Sequence, residues 1–143
     1  MILNELVEPA LELVPQAAAT EAIRTMIDRG IDVGVVLEAK RPLGIVTEKE
    51  LVERLATLAE TEGGRLRVTD VMRPVETVRV GTPTVEAARA MREHGTLYAA
   101  LTEDDGTYSG IVALRRLLME VVDEQELKVD NLQRELMADG PGG

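Results

Sequence analysis

The sequence predicts a mixed α/β (α+β) fold: two copies of one β-α-β-β-α unit in pseudo-twofold packing, followed by an extended C-terminal helix. Three observations predict it. Residues 3–37 align with 68–102 at a constant offset of 65, and after a one-residue insertion the register resumes at 66. Within each copy, short β-type apolar runs flank a stretch of helical period. After the second copy, apolar residues continue at alternating steps of four and three, which only a helix can bring to one side. A repeat has to be settled before anything else, because it decides the architecture, and two copies are too few for a solenoid.

The correspondence is specific. Pro9 falls on Pro74, and Glu21, Ala22, Arg24, Met26 and Gly30 fall on Glu86, Ala87, Arg89, Met91 and Gly95. Gly44, Ile45, Val46 and Leu51 fall on Gly110, Ile111, Val112 and Leu117. Each copy opens with a lead-in ending in Pro and a first strand, at 11–14 or 75–80. A helix follows. The first is expected at 23–29, stopped by Gly30; the second has Thr82 as N-cap, Pro83 at its first position and Gly95 as its stop. Val85, Ala88 and Met91 share its apolar face. Two strands come next, 33–37 with 43–46 and 97–102 with 108–113. Their links, Lys40-Arg41-Pro42 and Asp104-Asp105-Gly106, carry turn chemistry. A closing helix ends each copy. The boundaries read 1–62 for the first repeat, 63–67 for the linker, 68–123 for the second repeat and 124–143 for a helical extension and tail. Flexibility of the linker region (residues 61–67) centres on Gly63-Gly64. Each half is near the size at which a lone domain is marginal, so packing one on the other stabilises both.

In the second closing helix Leu118, Val122, Gln125, Val129, Leu132 and Leu136 form a short heptad seam with one polar position. It serves either as an amphipathic face laid on its own domain or as a dimer contact. Residues 139–143 read as a frayed tail.

Composition excludes several functions. The chain has 143 residues, 45% hydrophobic and 29% charged, with a net charge of −10. That field opposes binding to a phosphate backbone, and with no Trp or Phe only Tyr98 and Tyr108 could stack on bases. The chain contains no Cys and one residue of His, so thiolate chemistry and a multi-histidine metal centre are both ruled out within one chain. His94, among charged residues before a Gly, reads as a solvated helix end. No nucleophile with its base can be placed, so no enzyme is expected. No apolar run is long enough to span a bilayer, and the N-terminus shows no basic and apolar leader; a cytoplasmic protein is expected.

The stretch with chemistry is GIVTEKEL at 44–51. Gly44, Ile45 and Val46 end a buried strand, while Thr47 and Glu50 form a T-x-x-E capping box. A strand running straight into a capped helix presents backbone N–H groups to a crevice, which suits an anion as well as a cap. Together with VTDVMRPVETVRVGTPTVEAARAMREHG at 68–95, this stretch resembles the close and the opening of a CBS repeat, and the whole chain resembles a tandem CBS pair, or Bateman module, over residues 3–123. The resemblance implies two repeats packed by their sheets with two clefts between them. It further implies a homodimeric regulatory or signalling module that binds AMP, ATP or S-adenosylmethionine as effector and requires no cofactor.

Carried over residue by residue, the family's Gly, Thr and Asp positions are Gly44, Thr47 and, as a departure, Glu50. The hydroxyl would face phosphate or ribose and the carboxylate would accept from ribose hydroxyls. Ile45, Val14, Val33 and Gly34 complete the expected first site. In the second copy the motif positions are Gly110, Ala113 and Arg116, so no ribose contact of that type is expected. Tyr98, Arg115 and Arg116 are the polar candidates there. The basic residue the family often carries on its middle strand is absent; Lys49, Arg115 and Arg116 are the substitutes considered. Gly34, Ala99 and Ala100 are expected to leave room in the cleft. Two functions follow: a sensor of an adenosine ligand in one cleft that acts through a dimer, with a separate regulated protein as partner, or a ligand-free dimerisation or interaction scaffold working through the C-terminal helix.

Overall fold

The computed structural model describes residues 2–58, 62 and 64–138. The tail at 139–143 and linker positions 61 and 63 lie outside the described residues. The first repeat runs β1 (Leu11–Leu13), α1 (Ala19–Arg29), β2 (Val33–Glu38), β3 (Arg41–Thr47) and α2 (Glu48–Ala56). The second opens with the helical turn α3 (Val68–Val71) and continues with β4 (Glu76–Arg79), α4 (Thr84–Glu93), β5 (Tyr98–Thr102), β6 (Tyr108–Ala113) and α5 (Leu114–Ala138). Each repeat forms its own three-stranded sheet, in the orders β1-β2-β3 and β4-β5-β6. The first pair of each sheet is parallel, bridged by the intervening helix, and the second is an antiparallel hairpin. Both hairpins carry a register shift at equivalent places, after Val36 and after Leu101. The repeat read from the sequence is therefore a repeat of structure.

The strands sort their side chains by alternation. On one face Val33, Val35, Ile45, Ala100 and Ile111 pack the two sheets together. On the other face each sheet meets its own helices. In the first repeat Val36 and Val46 pack with Ala19, Ala22, Met26 and Leu51; in the second, Leu101 and Val112 pack with Ala87, Ala88, Met91 and Leu117. Apolar burial on both faces is what a small sheet enclosed on both sides requires.

The lead-in segments exchange sides. Leu3 and Leu6, at a 3₁₀ turn (Leu3–Glu5), are fully buried in the helix-side core of the second repeat. Their counterparts, Val68 and Val71, pack into the core of the first. Backbone bonds follow the same exchange: Glu8 N–H donates to Ile111 C=O at 2.8 Å, while Arg73 and Ile45 exchange both bonds at 2.9 Å. Gly110 and Gly44 permit these contacts. A Cβ on Gly110 would come within 2.6 Å of Val7 Cγ1, and one on Gly44 within 2.6 Å of Met72 Sδ.

The structure corrects several local expectations. Helix α1 begins at Ala19, four residues before the expected start, because the C=O of Leu66 accepts the Ala19 N–H at 2.9 Å. The linker segment before α3 thus substitutes for the missing side-chain cap. Pro83 is the N-cap residue of α4 rather than its first helical residue, leaving Thr82 outside the helix. The first hairpin turns at Ala39-Lys40, both with positive φ (51° and 65°), a two-residue loop of the kind that matches strand twist. Arg41 and Pro42 belong to β3, with Pro42 opposite Leu37 at the register shift, where an edge strand tolerates a missing N–H. The second hairpin is as read: Gly106 has φ +87° and Asp105 Oδ1 accepts from Thr107 N–H at 3.0 Å. His94 stands at the end of α4 with its side chain 55% exposed. Helix α5 packs on its own domain only through its opening turns, at Leu114 and Leu117, and every residue from Gln125 to Met137 is exposed.

One measurement checks the exchange. Leu3→Ala, close to the chain start, should cost about 2–5 kcal/mol, as for a core leucine, because it empties space beneath the second repeat. Urea unfolding of this variant beside the wild type reads the difference, and a cost near zero would mean the segment does not hold that core.

A cleft between the repeats

Strand β3 delivers Thr47 to the sheet edge and α2 starts at the next residue. Thr47 is the N-cap: its Oγ1 accepts from Glu50 N–H at 3.2 Å and donates to Glu50 Oε1 at 2.9 Å. The Glu48 N–H is taken as well, donated to Asp32 C=O at 2.9 Å. Two first-turn donors are therefore already used, and this helix start has fewer N–H groups left for an anion than the sequence suggests.

The carboxylate of Glu50 faces Arg73. The Arg73 Nε donates to Oε2 at 2.5 Å and Nη2 to Oε1 at 3.2 Å. Arg73 arrives from the other repeat, on the lead-in that bridges to Ile45. Partial burial acts to raise the Glu50 pKa, but hydrogen bonds from Arg73 and Thr47, with the guanidinium charge, outweigh it and hold the carboxyl below its ordinary value. Glu50 is thus an ionised, acceptor-only group at neutral pH. The basic partner comes not from the middle strand but from Arg73, a position the sequence reading does not single out. The signal was in the repeat itself: Arg73 precedes Pro74 as Glu8 precedes Pro9.

Around this pair lies a cleft of about 640 Å³ walled by both repeats. Its far wall is Leu97 and Tyr98, and its charged lining is four carboxylates (Asp32, Glu48, Glu50, Glu53) against two cations, Lys49 and Arg73. Lys49 is 4.0 Å from Glu53 and its side chain is 83% exposed, so Arg73 is the better-placed cation of the two. A second cleft of about 670 Å³ adjoins it, sharing Asp32, Glu48, Leu97 and Tyr98 and adding Glu8, Ala113 and Arg115. The charges of the pair are exchanged between the two copies: Glu50 and Arg73 on one side correspond to Arg116 and Glu8 on the other. Desolvation, then the charges of Asp32 and Glu8, push the Tyr98 phenol upward, a direct reading of the negative field at the wall between the clefts.

The structure brings together some of the expected residues and separates others. Thr47 and Glu50 share the first cleft; Tyr98 lines both clefts and Arg115 the second. Arg116 is exposed and lines neither. Val14, 61% exposed at the end of β1, is not a wall of either cleft. Val33 and Ile45 are sealed between the sheets. Gly34 leaves no room, because a Cβ there would meet Leu13 Cδ1 at 2.9 Å and Met26 Cε at 3.0 Å on the helix side. Ala99 and Ala100 are fully buried, one under the helices and one between the sheets. Gly44 contacts the crossing Met72 instead of opening into the cleft. Among the described residues, no group of three or more His, Cys, Asp or Glu is arranged to hold a metal ion, and no helix is long and apolar enough to cross a membrane.

Comparison with known proteins is consistent in kind. The family model of the CBS domain matches residues 7–57 and 68–123. An uncharacterized protein of Methanopyrus kandleri, MK0525, is 29% identical over 105 residues, covering 73% of this chain; the chain spans about half (54%) of that relative's length. Two of the solved structures that share the fold illustrate the likeness. The CBS domain protein PAE2072 from Pyrobaculum aerophilum, complexed with AMP, has a TM-score of 0.71 at 20% identity over 86% of this chain and 99% of its own. The CBS domain pair of protein MJ0100, in complex with 5′-methylthioadenosine and S-adenosyl-L-methionine, has a TM-score of 0.70 at 16% identity over 87% and 98%.

The Glu50–Arg73 pair has a pH signature. Because the folded pKa of Glu50 lies below its ordinary 4.5, the stability it contributes is complete above about that value and is lost as pH falls through the folded pKa. With Arg73 57% and Glu50 27% exposed, solvent screening limits the contribution to about 1 kcal/mol or less. Glu50→Gln should therefore be less stable than wild type at pH 7, and the gap should close as pH falls below about 4.5. Chemical unfolding of both proteins across that range checks it; a gap independent of pH would assign the effect to packing.

Proposed function

Because the chain belongs to the CBS domain family, we propose that it is a regulatory module whose first cleft senses an adenosine-containing ligand of the AMP, ATP or S-adenosylmethionine class. The signal would pass through rearrangement of a homodimer to a separate regulated protein in the cytoplasm. The observation that carries this reading is the Thr47–Glu50–Arg73 arrangement at the wall of the first cleft. Its ionised carboxylate suits the two hydroxyls of a ribose, and its guanidinium suits a phosphate. The two groups bond each other in this structure. A nucleotide that takes Glu50 with its ribose and Arg73 with its phosphate breaks a half-exposed ion pair, at a cost of about 1 kcal/mol or less. Tyr98 offers a flat face for a base.

The lining also ranks ligands within the class. Four carboxylates against two cations disfavour each added phosphate, so a monophosphate or a sulfonium-bearing adenosine fits better than a triphosphate. At the second cleft the motif positions are Ala113 and an exposed Arg116, so the position equivalent to Glu50 carries no diol acceptor. A ligand-free scaffold acting through the C-terminal helix is the second reading, favoured by the exposed run from Gln125 to Met137.

A thermal-shift panel of AMP, ADP, ATP, NAD and S-adenosylmethionine near millimolar separates the two. A ligand at about a hundred times its dissociation constant stabilises by about 2.7 kcal/mol, a rise of several degrees. The expected result is a selective rise with AMP or S-adenosylmethionine, smaller with ATP, and abolished in Thr47→Ala/Glu50→Ala. No rise with any of the five supports the scaffold, and a rise that survives the double substitution places the site elsewhere.

A further inference from the structure

Helix α5 is 25 residues against nine in its first-repeat counterpart α2. Its opening turns are held by the domain through Leu117, which is fully buried. Beyond Glu124 none of the described residues of its own chain covers it, and all sides of the helix from Gln125 to Met137 meet solvent. A helix exposed on every side over more than three turns is marginal in water by propensity alone and requires a partner. Its seam, Leu118, Val122, Val129, Leu132 and Leu136, is 38–73% exposed and interrupted only by Gln125.

We infer that α5 pairs with α5 of a second copy as a parallel, in-register coiled coil. The polar and charged positions choose both the occupant and the direction. With Val122, Val129 and Leu136 at one core position and Leu118, Gln125 and Leu132 at the other, parallel pairing sets Gln125 opposite its own copy, where the two amides can bond each other. Antiparallel pairing sets Gln125 against Val129 and leaves its amide facing an aliphatic wall. The flanking positions agree. Parallel pairing brings Lys128 beside Gln133 and Val121 beside Glu126, with no like charges facing. The antiparallel register that best overlaps the seam brings Lys128 near Lys128 and Glu126 near Glu126 of the other copy. Like charges so placed oppose that arrangement. Parallel pairing also puts the two CBS pairs at the same end of the coil.

The inference rests on the helix and not on the ligand reading, so it is tested on the full chain without nucleotide. Sedimentation should show a dimer for the wild type. Val129→Glu/Leu132→Glu should weaken dimerisation by about a hundredfold by burying unpaired charge in the seam, with thermal unfolding of the CBS pair unchanged. Since the chain has no Cys, Leu136→Cys supplies the single thiol of each copy. Mild oxidation should link two copies of this variant if they run parallel in register. A wild-type monomer at tens of micromolar, or a dimer unaffected by the two seam charges, would overturn the inference. So would a Leu136→Cys variant that stays unlinked while Leu118→Cys/Leu136→Cys links, since that is the antiparallel result.

Discussion

The structure depends on the exchange of two short lead-ins. Leu3 and Leu6 fill the core of the second repeat, and Val68 and Val71 that of the first. Neither three-stranded sheet with its two helices closes a core by itself. Each is finished by a segment whose sequence position belongs to the other. The sheet-to-sheet layer, with residues as small as Ala100 at its centre, adds contact between halves already tied by backbone bonds at Ile45–Arg73 and Glu8–Ile111. The balance between burial and chain entropy is therefore struck for the pair as a whole.

The same exchange builds the site. Arg73 reaches Glu50 because the lead-in that carries it must cross to the first repeat, and it can cross closely because Gly44 has no side chain. Glycine in the motif thus acts one step away from the chemistry: it admits Met72, and the residue after Met72 is the guanidinium. Where the exchange is repeated on the other side, Val7 takes the place of Met72 and Glu8 that of Arg73. The backbone geometry is preserved while the polar pair is not. Two clefts of similar volume result, and among the described residues only the first has a motif carboxylate bonded to a guanidinium.

Local signals account for the elements of the fold, and they fall short wherever a distant segment supplies the missing partner. The offset of 65, the Gly30 and Gly95 stops and the Thr47–Glu50 cap are local chemistry, and each has its expected place in the structure. The start of α1 is not local, because its cap is the carbonyl of Leu66. The first turn was displaced because Ala39 and Lys40, neither of them a turn former, adopt positive φ between strands whose pairing dictates it. For the site, the motif positions were readable, but Arg73 came from the other repeat. Gly34 opens no space for a ligand, because Leu13 and Met26 occupy the volume its missing side chain leaves.

The crossing lead-ins bear on how such a chain could have arisen. A single ancestral repeat with this geometry would have had an unfilled core and a spare lead-in, and only a twin could satisfy both. Such a repeat would have been an obligate partner-swapped pair, folded only at concentrations where twins meet. Duplication in tandem turns that encounter into an event within one chain, at an effective concentration set by a short linker. Halves joined in one chain need not be identical, and here one motif carries Ala113 and Arg116 where the other carries Thr47 and Glu50.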